Sequence, residues 1–209
     1  MKLKTILFDM DGVLIEAKDW HYEALNRALE IFGYHITREE HLTTFDGLPT
    51  RDKLKILSKR SSLPVELHQL INKLKQKFTE EYIYTSCRPH FENEYALSRL
   101  KNEGYKIAVC SNSIRRTIEA MMERSSLISY IDLIVSNQDV KNGKPSPEIY
   151  STAMHKLGLL PEECLICEDN ENGIKAAIAS GGKLLKITKV SDTNYQNIHS
   201  SILKFNGGN

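Results

Sequence analysis

Lys4-Thr5-Ile6-Leu7-Phe8 runs directly into Asp9-Met10-Asp11-Gly12, and this junction decides the fold class. The run is short and mostly apolar, as a strand buried on both faces of a parallel sheet should be. An aspartate pair follows at once, and Gly12 permits a tight turn behind it. In parallel sheets, ligand-binding and catalytic groups gather beyond the carboxyl ends of the strands. Two carboxylates there repel each other unless a cation or a proton lies between them. Taken alone, the pair is equally an exposed turn that closes a strand.

Working outward, the spacing predicts further strands over 106–110, 132–136, 164–167 and 183–187, separated by helical patterns. Ser146 and Pro147 open one helix that stops at Gly158, and an alanine-rich stretch ends at Gly181. This alternation belongs to a parallel sheet covered by helices. One interval breaks it. Between about 16 and 86 there is no strand pattern, whereas Leu25, Ala28, Leu29 and Phe32, then Leu67, Leu70, Ile71, Leu74, Phe78 and Tyr82, recur at helical spacing. A loop with Gly47 and Pro49 lies between the two sets. The simplest organisation is a helical module over 16–86, inserted into an α/β domain made of 1–15 and 87–209.

The 209 residues are 41% hydrophobic and 26% charged, with 28 Lys and Arg against 27 Asp and Glu. A chain of this size can bury roughly 70% of its extended surface and needs no metal or disulfide to fold. The near-neutral balance supplies no long-range field for nucleic acid or an anionic membrane. No window approaches the ~20 apolar residues of a membrane span. Asp9 interrupts the first apolar run too early for a signal peptide, so a cytoplasmic setting is expected. Cys164 and Cys167 form a CxxC without a second pair, which reads as two small core residues.

Three further clusters stand at or just beyond predicted strand ends. Ser111-Asn112-Ser113 offers a hydroxyl, an amide and backbone N–H groups to an anion, or a plain helix cap. In Gly143-Lys144-Pro145-Ser146-Pro147-Glu148, the prolines stiffen the mount of Lys144. Glu168-Asp169-Asn170-Glu171-Asn172-Gly173 places adjacent acids where a hard cation such as Mg²⁺ would bind through oxygen. Each cluster alone has a bland reading. Together they supply a nucleophilic carboxylate, an acid/base carboxylate, metal-binding acids, a lysine and neutral donors, which is the equipment of phosphoryl transfer.

DMDGVL, CSNS, KPSPEIY and CEDNENGIKAA resemble the four motifs of the haloacid dehalogenase superfamily. The helical insert is similar to the cap of its β-phosphoglucomutase-like and phosphoglycolate phosphatase-like branch. The resemblance runs from Leu3 to about Ile187. It implies an α/β fold with a Rossmann-like parallel-sheet core and an inserted α-helical cap. It implies that Asp9 is the nucleophile, forming an aspartyl-phosphate, and that Asp11 is the general acid/base. Mg²⁺ would be held by Asp9, the Asp11 carbonyl and Asp169, with Glu168 acting through water. Ser111, Asn112 and Lys144 would hold the phosphoryl oxygens. His21 matches a cap histidine of the mutase branch. Cap closure would bring Phe45, Gly47, Thr50 and Arg51 over the substrate.

The chain departs from the mutase cap loop, which has a lysine before its glycine and an arginine three residues after it. Here those positions are Asp46 and Thr50, leaving Arg51 and Lys53 as the nearby cations. A mutase must bind a phosphate at both ends of its bisphosphate, so the loss favours a Mg²⁺-dependent phosphatase for a small phosphorylated metabolite. The alternatives are a phosphosugar mutase and, from another class, a non-catalytic binding protein on the same scaffold. A monomer fits the size and the lack of an apolar seam.

Overall fold

The computed structural model describes residues 2–207. Five parallel strands form one sheet: β1 (Thr5–Phe8), β2 (Lys106–Cys110), β3 (Leu133–Val135), β4 (Cys164–Glu168) and β5 (Lys183–Lys186), in the order β3-β2-β1-β4-β5. The chain builds outward from β1 to β3, then crosses back to lay β4 on the other side of β1. This reversal opens a crevice at the carboxyl ends of β1 and β4.

Side chains alternate across the sheet, and the two apolar layers follow from that period. Ile6 and Phe8 face a cluster with α5 (Phe91–Asn102), α6 (Arg115–Arg124) and α9 (Tyr195–Phe205). Leu7 faces the opposite cluster, with α7 (Glu148–Leu157) and α8 (Glu171–Ala179). Each of these fully buried side chains is worth about 1.5–3 kcal/mol of burial, which is why so short a strand can hold the centre of the sheet. Cys164 and Cys167 belong to different layers. A disulfide or shared metal between them is excluded by the pleat.

Between β1 and α5 lie α1 (Lys18–Glu30), the one-turn α2 (Arg38–Glu40), a π-helical turn (His41–Phe45), α3 (Thr50–Ser61) and α4 (His68–Ser86). They close around their own cluster of Leu25, Leu29, Ile36, Phe45, Leu54, Leu63 and Ile71. Thr37 and Glu40 form a reciprocal capping box at the start of α2. Helix α7 begins at Glu148, one residue later than the prolines suggest, and Ser146 Oγ accepts from the Glu148 N–H at 3.3 Å. Its end at Gly158 is as read, with φ at +68°. The expected cap of α6 at Asn112 or Ser113 is absent. The helix starts at Arg115, and Ser111 Oγ instead accepts from the Ser113 N–H at 3.1 Å. No helix among the described residues is long and apolar enough to cross a membrane.

Candidate active site

Strand register builds the acidic centre. β1 and β4 pair Phe8 with Cys167, and the Asp9 N–H donates to the Cys167 carbonyl at 3.0 Å. Asp9 and Glu168 therefore leave neighbouring strand ends side by side, and Asp169 follows. One ligand oxygen from each of Asp9, Glu168 and Asp169 lies within 4.8 Å of the others. Burial pushes the Asp9 carboxyl well above its ordinary value. Lys144 opposes this, while Glu168, Asp169 and Asp11 add to it. Asp169 is likewise raised by burial, against the pull of Lys18. Its Oδ2 takes Lys18 Nζ at 2.7 Å, whereas its buried Oδ1 has no hydrogen-bond partner. Crowded hard oxygens, one of them orphaned, suit an oxygen-seeking divalent cation such as Mg²⁺.

Lys144 Nζ bridges Asp9 Oδ1 and Glu168 Oε1, at 2.5 Å to each, and these two acids hold its ammonium above the ordinary lysine range despite burial. Glu168 is saturated. Oε1 also accepts from the Tyr150 hydroxyl at 2.6 Å, and Oε2 accepts from the backbone N–H groups of Asp169 and Asn170. Asn112 spends its side chain on backbone. Its amide nitrogen donates to the carbonyls of Gly47 and Lys144, and its Oδ1 accepts from the Lys144 N–H at 2.9 Å. It thus ties the β2 end to the lysine loop and to the helical insert. Ser111 is buried and lines the same cavity.

The insert closes the crevice from above. His21 Nε2 lies 3.0 Å from Asp11 Oδ1, and Lys75 Nζ lies 3.0 Å from His21 Nδ1. Burial and Lys75 push the His21 imidazole down, outweighing Asp11. Because the Asp11 carboxylate, held below its ordinary value, only accepts, Nε2–H points at Asp11 and Nδ1 is left to accept from Lys75. Burial alone would raise the Asp11 carboxyl, but His21, Lys75 and Lys144 together bring it below its ordinary value. The Asp46 carbonyl accepts from Asn172 Nδ2, and its carboxylate accepts from Asn170 Nδ2 at 2.6 Å. The residue standing at the mutase lysine position is therefore a latch between insert and sheet.

His21, Gly47, Thr50 and Arg51 line a cavity of about 290 Å³ with Asp9, Asp11 and Lys144. Phe45 does not. It is fully buried in the insert's apolar cluster, because the π-helical turn rotates its ring inward. Arg51 reaches the rim, where its side chain is 68% exposed and lies 3.5 Å from Asp52. The sequence reading overlooked Lys18, Lys75, His41 and Gly173. Lys18 and Lys75 occupy polar faces of amphipathic helices and look like solvated charges. Gly173 is a helical glycine whose absent side chain leaves room for Glu168.

Lys53 and Lys75 are desolvated by burial, their ammonium groups brought down to about 8 and about 7. In the unfolded chain both titrate near 10.5, so between pH 7 and 10 these two groups bind more protons in the unfolded state, and their contribution to stability rises with pH. Lys53→Met should therefore be more stable than wild type at pH 7, by a margin that narrows toward pH 9. Urea unfolding at both pH values measures it, and a margin independent of pH would contradict the burial argument.

The sequence model of the haloacid dehalogenase-like hydrolase family matches residues 6–187. A phosphorylated carbohydrates phosphatase of Thermotoga maritima is 31% identical over 86% of this chain and 82% of its own length. The pyrophosphatase PpaX of Bacillus cereus is 28% identical, over 90% of this chain and 84% of that protein. Among solved structures, a β-phosphoglucomutase from Clostridium difficile superposes with a TM-score of 0.84 at 19% identity, covering 98% of this chain and 99% of that one. That likeness speaks for the fold. With the motif residues converging at the switch point of the sheet, the chain belongs to the haloacid dehalogenase-like hydrolase family and is a phosphoester hydrolase of that kind.

Proposed function

We propose that the protein is a Mg²⁺-dependent phosphatase that hydrolyses a small phosphorylated metabolite through an aspartyl-phosphate on Asp9. The observation that carries this reading is the Asp9 carboxylate at the switch point, flanked by Glu168, Asp169 and the Lys144 ammonium. In this reading, 16–86 is a cap and 1–15 with 87–209 is the core. The phosphatase and pyrophosphatase relatives support phosphate chemistry.

A bound Mg²⁺, held by Asp9, the Asp11 carbonyl and Asp169, would neutralise phosphoryl charge and align it for in-line attack. An Asp9 carboxylate oxygen attacks phosphorus as the ester P–O bond breaks, and the leaving oxygen takes a proton from Asp11. Asp11 then removes a proton from water, whose oxygen attacks phosphorus. The acyl-phosphate bond breaks, releasing phosphate and restoring Asp9. Lys144 and Ser111 hold the equatorial oxygens, while Asn112, its side chain spent on backbone carbonyls, contributes its N–H. Glu168 positions Lys144, and any contact it made with a bound Mg²⁺ would pass through water, since its oxygens are taken by Lys144, Tyr150 and two backbone N–H groups. His21 and Lys75 set the proton on Asp11: with the His21 contact made, Asp11 is a base, and burial without it favours the acid. Gly47, Thr50 and Arg51 cover the substrate in the closed form.

A phosphate-release screen over phosphorylated metabolites, with Mg²⁺ and with EDTA, tests this. Turnover should appear for one class of small ester and vanish with EDTA. Conversion of a hexose 1-phosphate to its 6-phosphate, with no free phosphate, would instead establish a mutase.

A further inference from the structure

The cap wall of the cavity contains two lysines, Lys53 and Lys75, that feel Asp11 and Asp46 at a distance but form no ion pair with any described carboxylate. Lys53 lies on α3, one turn beyond Thr50. It is 7% exposed and lines the cavity, and its ammonium makes no hydrogen bond or ion pair with any described residue. His41 is 3% exposed and lines the same wall, and neither of its ring nitrogens has a partner. Lys75 repels Lys53 across this space, and among the described residues its ammonium bonds only to His21. The nearby acids are committed elsewhere. Asp46 is held by Asn170 and faces Lys18 at 3.8 Å, and Asp11 is held by His21. Burying an ammonium without a counter-ion is costly. Such strain is retained where a ligand of opposite charge relieves it.

We propose that Lys53 and His41, assisted by Lys75, form an anion subsite in the cap wall, and that the substrate is a small phosphomonoester carrying a second anionic group, a carboxylate or a phosphate, remote from the transferring phosphoryl. The inference rests on the phosphatase reading for the identity of the first group. Lys144 and the acidic centre take that group at the sheet end of the cavity. Lys53 supplies a point charge for the second, and the neutral His41 imidazole supplies one N–H donor. Arg51 stands at the rim and attracts the anion without being buried by it. About 290 Å³ lies at the small end of ligand pockets and suits a metabolite of a few carbons.

Titration calorimetry on the Asp9→Asn protein with Mg²⁺ tests the subsite without turnover. The probes are two pairs that differ in the remote group: glycerol 3-phosphate against 3-phosphoglycerate, and a hexose 6-phosphate against the 1,6-bisphosphate. In at least one pair the doubly anionic member should bind about 10- to 100-fold more tightly, the range of a charge-assisted contact. The pair that shows it tells carboxylate from phosphate. Adding Lys53→Met should reduce that ratio to about twofold or less, and Lys53→Arg should restore part of it. Lys53→Gln carries the same expectation should the Met variant fold poorly. Ratios near one in both pairs, or a ratio that survives loss of Lys53, would overturn the subsite. The phosphatase reading fails separately, by absence of phosphate release from wild type while the affinity ratio persists.

Discussion

Asp9→Asn protein should release phosphate about 10⁴-fold or more slowly than wild type, as loss of a covalent nucleophile does in other enzymes, while melting no lower. The amide matches the carboxylate in shape but cannot form the acyl-phosphate. Stability should hold because Asp9 shares a buried site with Asp11, Glu168 and Asp169. The substitution removes one of four crowded negative charges. Lys144 keeps its 2.5 Å contact with Glu168, whose Oε1 stays in place by also accepting from the Tyr150 hydroxyl. Phosphate release with Mg²⁺ and thermal melting without it read the two effects independently. Residual turnover within tenfold of wild type would remove Asp9 from the role of nucleophile. A large loss of melting temperature would make the catalytic defect uninterpretable as chemistry and contradict the charge-crowding argument.

The sheet and its acidic edge were legible because their causes are local and short in period. A buried parallel strand is a brief apolar run, and a chemically useful side chain follows it by one or two residues. Asp9, Ser111 and Asp169 each obey that rule. Register then sets Asp9 beside Glu168 and Asp169, and register follows from the apolar alternation of Ile6, Leu7 and Phe8.

The helical insert resists the same reading for a physical reason. A charged residue on an amphipathic helix has the same sequence appearance whether its polar face meets water or another domain. Lys75 lies among Lys73 and Lys77 on α4, and only the fold shows that it meets His21 while the helix's apolar face packs with α1. Phe45 shows the opposite error. It stands beside Asp46-Gly47 in the loop, yet a π-helical turn sends it into the insert's core. The Asp46 substitution reads in sequence as a lost cation, whereas in three dimensions it is a hydrogen-bonded contact to Asn170 and Asn172.

Gly173→Ala should cut turnover about 100-fold and lower the melting temperature, although the same change in most helices does the reverse. Gly173 is the third residue of α8, where alanine in place of glycine ordinarily adds about 1 kcal/mol of stability. Here a Cβ would stand 1.8 Å from Glu168 Oε1 and 2.2 Å from Oε2. The fully buried Glu168 carboxylate would have to leave its place, releasing Lys144, Tyr150 and the N–H groups of Asp169 and Asn170. Overpacking of this kind costs about 1–3 kcal/mol, and a displacement near 1 Å in a catalytic group can cost about 10²-fold in rate. The sign of the stability change separates the two outcomes. Pairing Gly173→Ala with Glu168→Asp, which shortens the carboxylate by one methylene, should recover melting temperature relative to Gly173→Ala alone. It should not recover turnover, because the shortened acid no longer reaches Lys144. A Gly173→Ala protein that melts higher than wild type and keeps full activity would mean that Glu168 can move without consequence, and that the lysine it holds is not fixed by it.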